Sequence, residues 1–279
     1  MIMKHLLILF LSLLTVNITV SAQTPKLEKI WETDTIVAVP ESVLPDEKGQ
    51  RLFVSLIDGK SSEADGKGGI ATMSMDGTNY KGDWITGLNA PKGMGRHGNR
   101  LYVADLTEVV VVDIAKGKIE KKIPIAGAKA LNDITITKDG VVYVSEKALG
   151  HVYKIENDAY KLLLSDIVNV NGLKANNSDL YIIAGDAFMK ADATGKLTPI
   201  ATITDKSGDA IELTDNGGYL LSAWKGYLYY VSPAGKVDVL LDTTAEQKNT
   251  ADIGYDPVKR IVYVPTFNGK TVAAYRLSY

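Results

Sequence analysis

"LNDITITKDGVVYVSE", residues 131–146, reads as two short strands joined by the turn Lys138-Asp139-Gly140. Ile134 and Ile136 alternate with threonines, and Val142, Tyr143 and Val144 follow the turn. The opening of the first strand is the puzzle. A segment bound for a core begins with the polar pair Asn132-Asp133. Asn and Asp are common where a chain turns into a strand, so the rest of the chain must decide whether more is needed.

The segment has relatives. Similar units open at "PESVLPDEKGQRLFVSLIDG" (40–59), "APKGMGRHGNRLYVADL" (90–106), "VNGLKANNSDLYIIAG" (170–185), "GDAIELTDNGGYLLSAW" (208–224) and "ADIGYDPVKRIVYVPTF" (251–267). Aligned on Phe53, Tyr102, Tyr143, Tyr181, Leu220 and Tyr263, they step by 49, 41, 38, 39 and 43 residues, a mean of 42. That falls in the range of one four-stranded propeller blade. Segments 150–166, 187–203 and 226–242 each read strand, turn, strand, and supply outer strands. The last unit, "TVAAYRLSY", stops one strand short, while "KLEKIWETDTIVA" (26–38) precedes the first. The expected fold is therefore an all-β, six-bladed propeller whose N-terminal strand completes the last blade and removes an exposed edge. A β-sandwich is the alternative, but it leaves the six-fold repeat unexplained.

Composition agrees. The strands are rich in Val, Ile and Thr, tyrosine is frequent, and no stretch carries helical periodicity. The first residues, "MIMKHLLILFLSLLTVNITVSAQ", look like a secretory signal: Lys4, an apolar run from Leu6 to Val16, then Val20-Ser21-Ala22. Cleavage after residue 22 leaves one domain over 23–279, with export to the periplasm or the medium. No later segment is long and apolar enough to cross a membrane. There is no cysteine, which excludes disulfides, and the formal charge of −2 is spread without a basic stripe. A nucleic-acid partner is not expected.

Inner strands of a propeller line the central channel, so equivalent positions converge at one mouth. Counting back 10 to 12 residues from the anchors gives Glu41, Lys92, Asn132, Asn171, Asp209 and Asp252. Glu, Asn, Asn and Asp are all oxygen donors, the set a hard cation such as Ca²⁺ takes. Three scattered histidines and no cysteine disfavour zinc. The competing reading is that these are polar strand-opening residues bonded to nearby backbone.

"PESV", "LNDITITKDGVVYV", "VNGLKANNSDLYI" and "GDAIELTDNGGYLLSAW" resemble the senescence-marker-protein/gluconolactonase (regucalcin-like) family over nearly the whole chain after residue 22. The resemblance implies a six-bladed hydrolase with one divalent ion, most simply Ca²⁺, on Glu41, Asn132, Asn171 and Asp209. It also implies Asp209 as general base or nucleophile. Three departures separate the chain from that pattern. Ala130 stands where sugar-lactone hydrolases often carry arginine, Ser42-Val43 follow Glu41 in place of Gly-Pro, and no histidine pair of the paraoxonase kind is evident.

Two functions from different classes follow. One is an exported Ca²⁺-dependent hydrolase of lactones or related esters. The other is a non-catalytic propeller with a structural metal, its channel mouth binding a small ligand or a protein. Lys92, Asp133 and Asp252 are candidates for substrate contact; Lys92 serves equally well to neutralise carboxylates, and Asp133 to cap local backbone. Trp224 follows the second strand of the fifth unit; core packing is the default expectation, with walling a pocket as the alternative. "DGKGGI" (65–70) reads as a hairpin loop rather than a phosphate cradle, since no Lys-Ser/Thr and helix follow it.

Overall fold

The computed structural model describes residues 24–279; the expected leader, 1–22, lies outside the described residues. Six four-stranded antiparallel sheets follow one another around a ring. Their inner strands are Pro40–Asp46, Pro91–His97, Leu131–Ile136, Val170–Asn176, Gly208–Leu213 and Gly254–Asp256. Blades 1 to 5 each run inner to outer in chain order. Blade 6 takes three strands from the C-terminal end and its outermost strand, Lys26–Glu32, from the N-terminal side, paired antiparallel with Thr271–Ser278. The inner strands of blades 6 and 1 also touch, through a parallel bridge between Ser42 and Asp252. One 3₁₀ turn, Thr244–Glu246, is the only helical element among the described residues, and none of their helices could cross a membrane.

The repeat of 42 residues makes a ring because each blade is apolar on both faces. In the strand Arg100–Asp105, Leu101 and Val103 pack toward blade 1, while Tyr102 and Ala104 pack toward blade 3. The two-residue period of a strand thus feeds two different cores. Six such inter-blade clusters run around the ring. This is why the second strands read as continuous apolar runs and not as alternating ones. Hydrophobic burial distributed this way leaves the channel to polar side chains.

The turn after Leu131–Ile136 forms as expected. Gly140 takes a φ of 85°, a region that favours glycine, and Val141 N–H donates to Thr137 Oγ1 at 3.0 Å. The glycine-rich stretch 65–70 departs from expectation. Gly68, Gly69 and Ile70 already belong to the third strand of blade 1, Gly68–Ser74, so the loop ends sooner than a flexible hairpin would require.

Candidate functional site at the channel mouth

In five blades the register between inner and second strand slips at one equivalent place. The breaks fall between Pro40 and Ser42, Pro91 and Met94, Leu131 and Ile134, Val170 and Leu173, and Gly208 and Ile211. Glu41, Lys92, Asn132, Asn171 and Asp209 sit inside these breaks. A bulge bends its strand and re-aims the extra side chain, so a polar residue opens a core strand without being forced into the core.

Two devices hold the bulges. In blades 1, 3 and 5 a serine on the second strand accepts a bulge N–H at 2.9 Å: Ser42 N–H to Ser55, Asp133 N–H to Ser145, and Ala210 N–H to Ser222. In blades 2 and 4 the bulge carries glycine instead. A Cβ on Gly172 would sit 2.1 Å from the Asp209 carbonyl oxygen, and one on Gly93 would sit 2.5 Å from Asp133 Cα. Neighbouring blades approach that closely, which brings Asn171 against Asp209.

The Asn171 amide shows what the arrangement leaves free. Its Nδ2 donates to Asp209 Oδ1 at 2.5 Å and to the Gly208 carbonyl at 3.1 Å. Facing two acceptors, the amide must present its nitrogen to them, so its oxygen points away. Asn171 Oδ1, Asp209 Oδ2 and Glu41 Oε2 are the buried side-chain polar atoms without a hydrogen-bond partner among the described residues. Buried oxygens of this kind are normally satisfied, because leaving them bare costs about 1–3 kcal/mol each. Burial drives both carboxyls toward the protonated form. Asp209 is pushed up to about 6 despite the attraction of Lys147, Asn171 and Lys92. Glu41 is raised well above the carboxylate range by burial and by Asp209 beside it.

Two carboxylates and two amides offer only oxygen atoms, the donor type of hard cations. Among the described residues no three His, Cys, Asp or Glu side chains gather as ligands, so any cation here would depend on the two asparagines.

Glu41, Asn132 and Asp209 line a cavity of about 280 Å³ together with Lys92, Lys147, Trp224 and Phe267. Lys92 is buried, and its ammonium donates to the Ser61 carbonyl at 3.0 Å and the Ala90 carbonyl at 3.3 Å. Burial lowers its affinity for a proton, partly offset by Glu41. Trp224 is 41% exposed and meets Phe267 edge to face, with ring centroids 5.9 Å apart. Of the two expectations for Trp224, the default of core packing fails and the pocket wall is what the structure shows.

Lys147, Trp224 and Phe267 were invisible to a search that counted backward from the anchors. Each lies four residues after its anchor, at the position also held by Ile57, Leu106 and Gly185. Counting forward would have found this second ring. Two buried carboxylates hold the loops behind it. Glu146 accepts the N–H groups of Lys129 (2.9 Å), Ala130 (2.6 Å) and Leu149 (2.5 Å), fixing the approach to Asn132 and the position of Lys147. Asp105 accepts those of Asn89 and Ala90, ahead of Lys92.

Asp133 and Asp252 are not at this cavity. Both line a separate space of about 30 Å³ farther along the channel, beside the Lys174–Glu212 pair. Asp133 Oδ2 accepts the Leu173 N–H at 2.5 Å and Oδ1 its neighbour Ile134 N–H at 2.6 Å, stitching blade 3 to blade 4. Asp252 Oδ2 accepts the Ser42 hydroxyl at 2.6 Å, across the junction of blades 6 and 1.

Comparison with known proteins bears on the fold. No protein-family profile matches the chain, and no curated protein does. Solved structures do match. A catalytically inactive virginiamycin B lyase from Staphylococcus aureus with quinupristin superposes with a TM-score of 0.65 at 14% identity, over 91% of this chain and 99% of that one. A streptogramin B lyase gives 0.64 at 11%, over 91% and 98%. A luciferin-regenerating enzyme gives 0.65 at 14%, over 92% and 96%. The chain shares the six-bladed propeller architecture of these enzymes along almost its whole described length.

Proposed function

We propose that the channel mouth holds one divalent cation, Ca²⁺ by its donor set, on Glu41, Asn132, Asn171 and Asp209. We read the protein as an exported metal-dependent hydrolase of lactones or related esters, of the senescence-marker-protein/gluconolactonase kind. The observation that carries the reading is the trio of unpartnered buried oxygens, Glu41 Oε2, Asn171 Oδ1 and Asp209 Oδ2, carried by three blades. The propellers it superposes on belong to enzymes, so this architecture accommodates catalysis. Export rests on the leader-like sequence of residues 1–22.

When bound, such an ion would polarise a substrate carbonyl and offset the charge developing on its oxygen. The chain supplies the rest. Asn171 donates to one oxygen of Asp209 and so fixes the carboxyl, leaving its other oxygen without a partner. That free Oδ2 is the group to take a proton from an incoming water or to attack directly. Trp224 and Phe267 line the approach and give it an aromatic wall. The non-catalytic alternative draws on Ala130, where sugar-lactone hydrolases carry arginine.

The test is thermal unfolding of the metal-stripped protein with and without about 1 mM CaCl₂, beside Asn171→Ala, followed by a lactone and ester panel. At about 100-fold saturation the ion adds roughly 2.7 kcal/mol, a rise of about 5–10 °C for a domain of this size. That rise should vanish in the variant, and turnover should vanish in Asp209→Asn. No response to any divalent cation removes the metal reading; a response with a silent panel favours the binding module.

A further inference from the structure

We infer that the channel mouth selects a small organic anion carrying a flat apolar group, its acidic end against Lys147 and Lys92 and its apolar face against Trp224 and Phe267. The inference rests on the reading of the mouth as the ligand site and names the class of ligand it takes.

The second ring carries the argument. Of its six positions, Ile57, Lys147, Trp224 and Phe267 line the cavity, and Lys147 is the charged one among them. Lys147 is exposed and forms no salt bridge among the described residues. It lines the same cavity as Glu41 and Asp209. Its backbone is fixed, since Lys147 N–H donates to the Ala130 carbonyl at 2.9 Å and Glu146 clamps the loop before it. Lys92 sits deeper on the same wall and makes only carbonyl contacts, so it too keeps its charge unneutralised by a direct carboxylate partner.

The charges around the cavity favour an anion once the ion is in place. Lys92 and Lys147 are the two cationic side chains of the lining, and a divalent cation held by Glu41 and Asp209 would engage the carboxylates that otherwise face them. A neutral ligand would leave the two ammonium groups uncompensated against a low-dielectric wall. Across the cavity the edge-to-face pair of Trp224 and Phe267 presents exposed aromatic surface, which suits a flat apolar group. At about 280 Å³ the cavity lies just under the usual 300–1,000 Å³ of small-molecule sites, so it fits a ligand of about one ring.

The experiment is calorimetric titration of the full chain in CaCl₂ with phenylacetate, its neutral isostere phenylacetamide, and acetate. Wild type, Lys147→Met and Trp224→Ala are compared, and the calcium-dependent unfolding shift is recorded for each. Phenylacetate should bind, phenylacetamide should bind at least about tenfold more weakly, and Lys147→Met should lose about tenfold for phenylacetate alone, the worth of one charge-assisted contact. Trp224→Ala should weaken phenylacetate and spare acetate. No phenylacetate binding, equal binding of the amide, or an unchanged Lys147→Met overturns the inference. The calcium shift separates the two readings. If it is present while binding ignores Lys147, the ligand class is wrong and the metal site stands. If it is absent while binding depends on Lys147, the metal reading fails and the ligand class stands.

Discussion

Closure of the ring depends on a small ionic cluster whose strength can be worked out. Glu32 ends the N-terminal strand Lys26–Glu32. Its Oε1 accepts from Lys248 Nζ at 2.7 Å and Thr271 Oγ1 at 2.8 Å, and its Oε2 from Lys29 Nζ at 2.9 Å. Burial alone would raise this carboxyl, but the bonds from Lys248, Lys29 and Thr271 outweigh it and bring Glu32 down to about 2 from an ordinary 4.5. A group depressed in the folded state stabilises above its unfolded pKa, and the stabilisation disappears as pH falls through the folded value. The window is therefore pH 4.5 down to about 2. At 1.36 kcal/mol per unit the shift sets a ceiling of about 3.4 kcal/mol. Glu32 remains partly solvated, and screening reduces this to about 1–2 kcal/mol. Glu32→Gln should thus melt about 2–8 °C below wild type at pH 7, with the gap closing toward pH 2.5. Circular dichroism melts of both proteins along that pH series provide the test. A gap that keeps its size at pH 2.5 would mean that Glu32 contributes through packing and not through charge.

Three further outcomes check the placement of individual groups. Asp133→Ala should cost about 2–3 kcal/mol by leaving the Leu173 and Ile134 N–H groups bare, seen as a lower denaturant midpoint, while the calcium response survives because Asp133 is not at the mouth cavity. Gly172→Ala should push blades 4 and 5 apart and destabilise by about 1–3 kcal/mol; the calcium-dependent shift should shrink as well, since the Asn171–Asp209 contact depends on that approach. Glu146→Gln keeps one acceptor oxygen for Lys129 and Ala130 but turns an NH2 donor toward the Leu149 N–H, and should lower the urea midpoint by an amount equivalent to about 1–3 kcal/mol without changing the slope.

The ring was legible because it repeats. Anchors such as Tyr102 and Tyr143 lie in regular second strands, where every residue has a fixed face, so a period of 42 survives large variation in loop length. The inner ring was legible only approximately. A bulge inserts a residue, so the backward count from the anchors varies between 10 and 12 and mixes mouth positions with channel positions. The outer ring needed no such allowance. It follows each anchor by four residues without exception, and it was missed because Lys147 reads as surface and Trp224 as core when each is judged by residue type alone.

The pair Asn132-Asp133 shows where residue type stops being informative. Successive side chains on a strand leave by opposite sides, and the bulge between Leu131 and Ile134 decides which side meets the cavity. Asn132 lines the mouth beside Glu41 and Asp209. Asp133, one residue on, turns to the channel below and spends both oxygens on backbone amides, one of them in the next blade. Two polar residues that look interchangeable as strand openers thus divide the work. One keeps an amide at the candidate cation site, and the other stitches together the two blades that carry Asn132 and Asn171. That coupling explains why polar residues persist where the apolar pattern would have placed valine. In the five bulged inner strands the polar mouth comes with a second device, a bonded serine (Ser55, Ser145 or Ser222) in blades 1, 3 and 5 and a close glycine approach in blades 2 and 4.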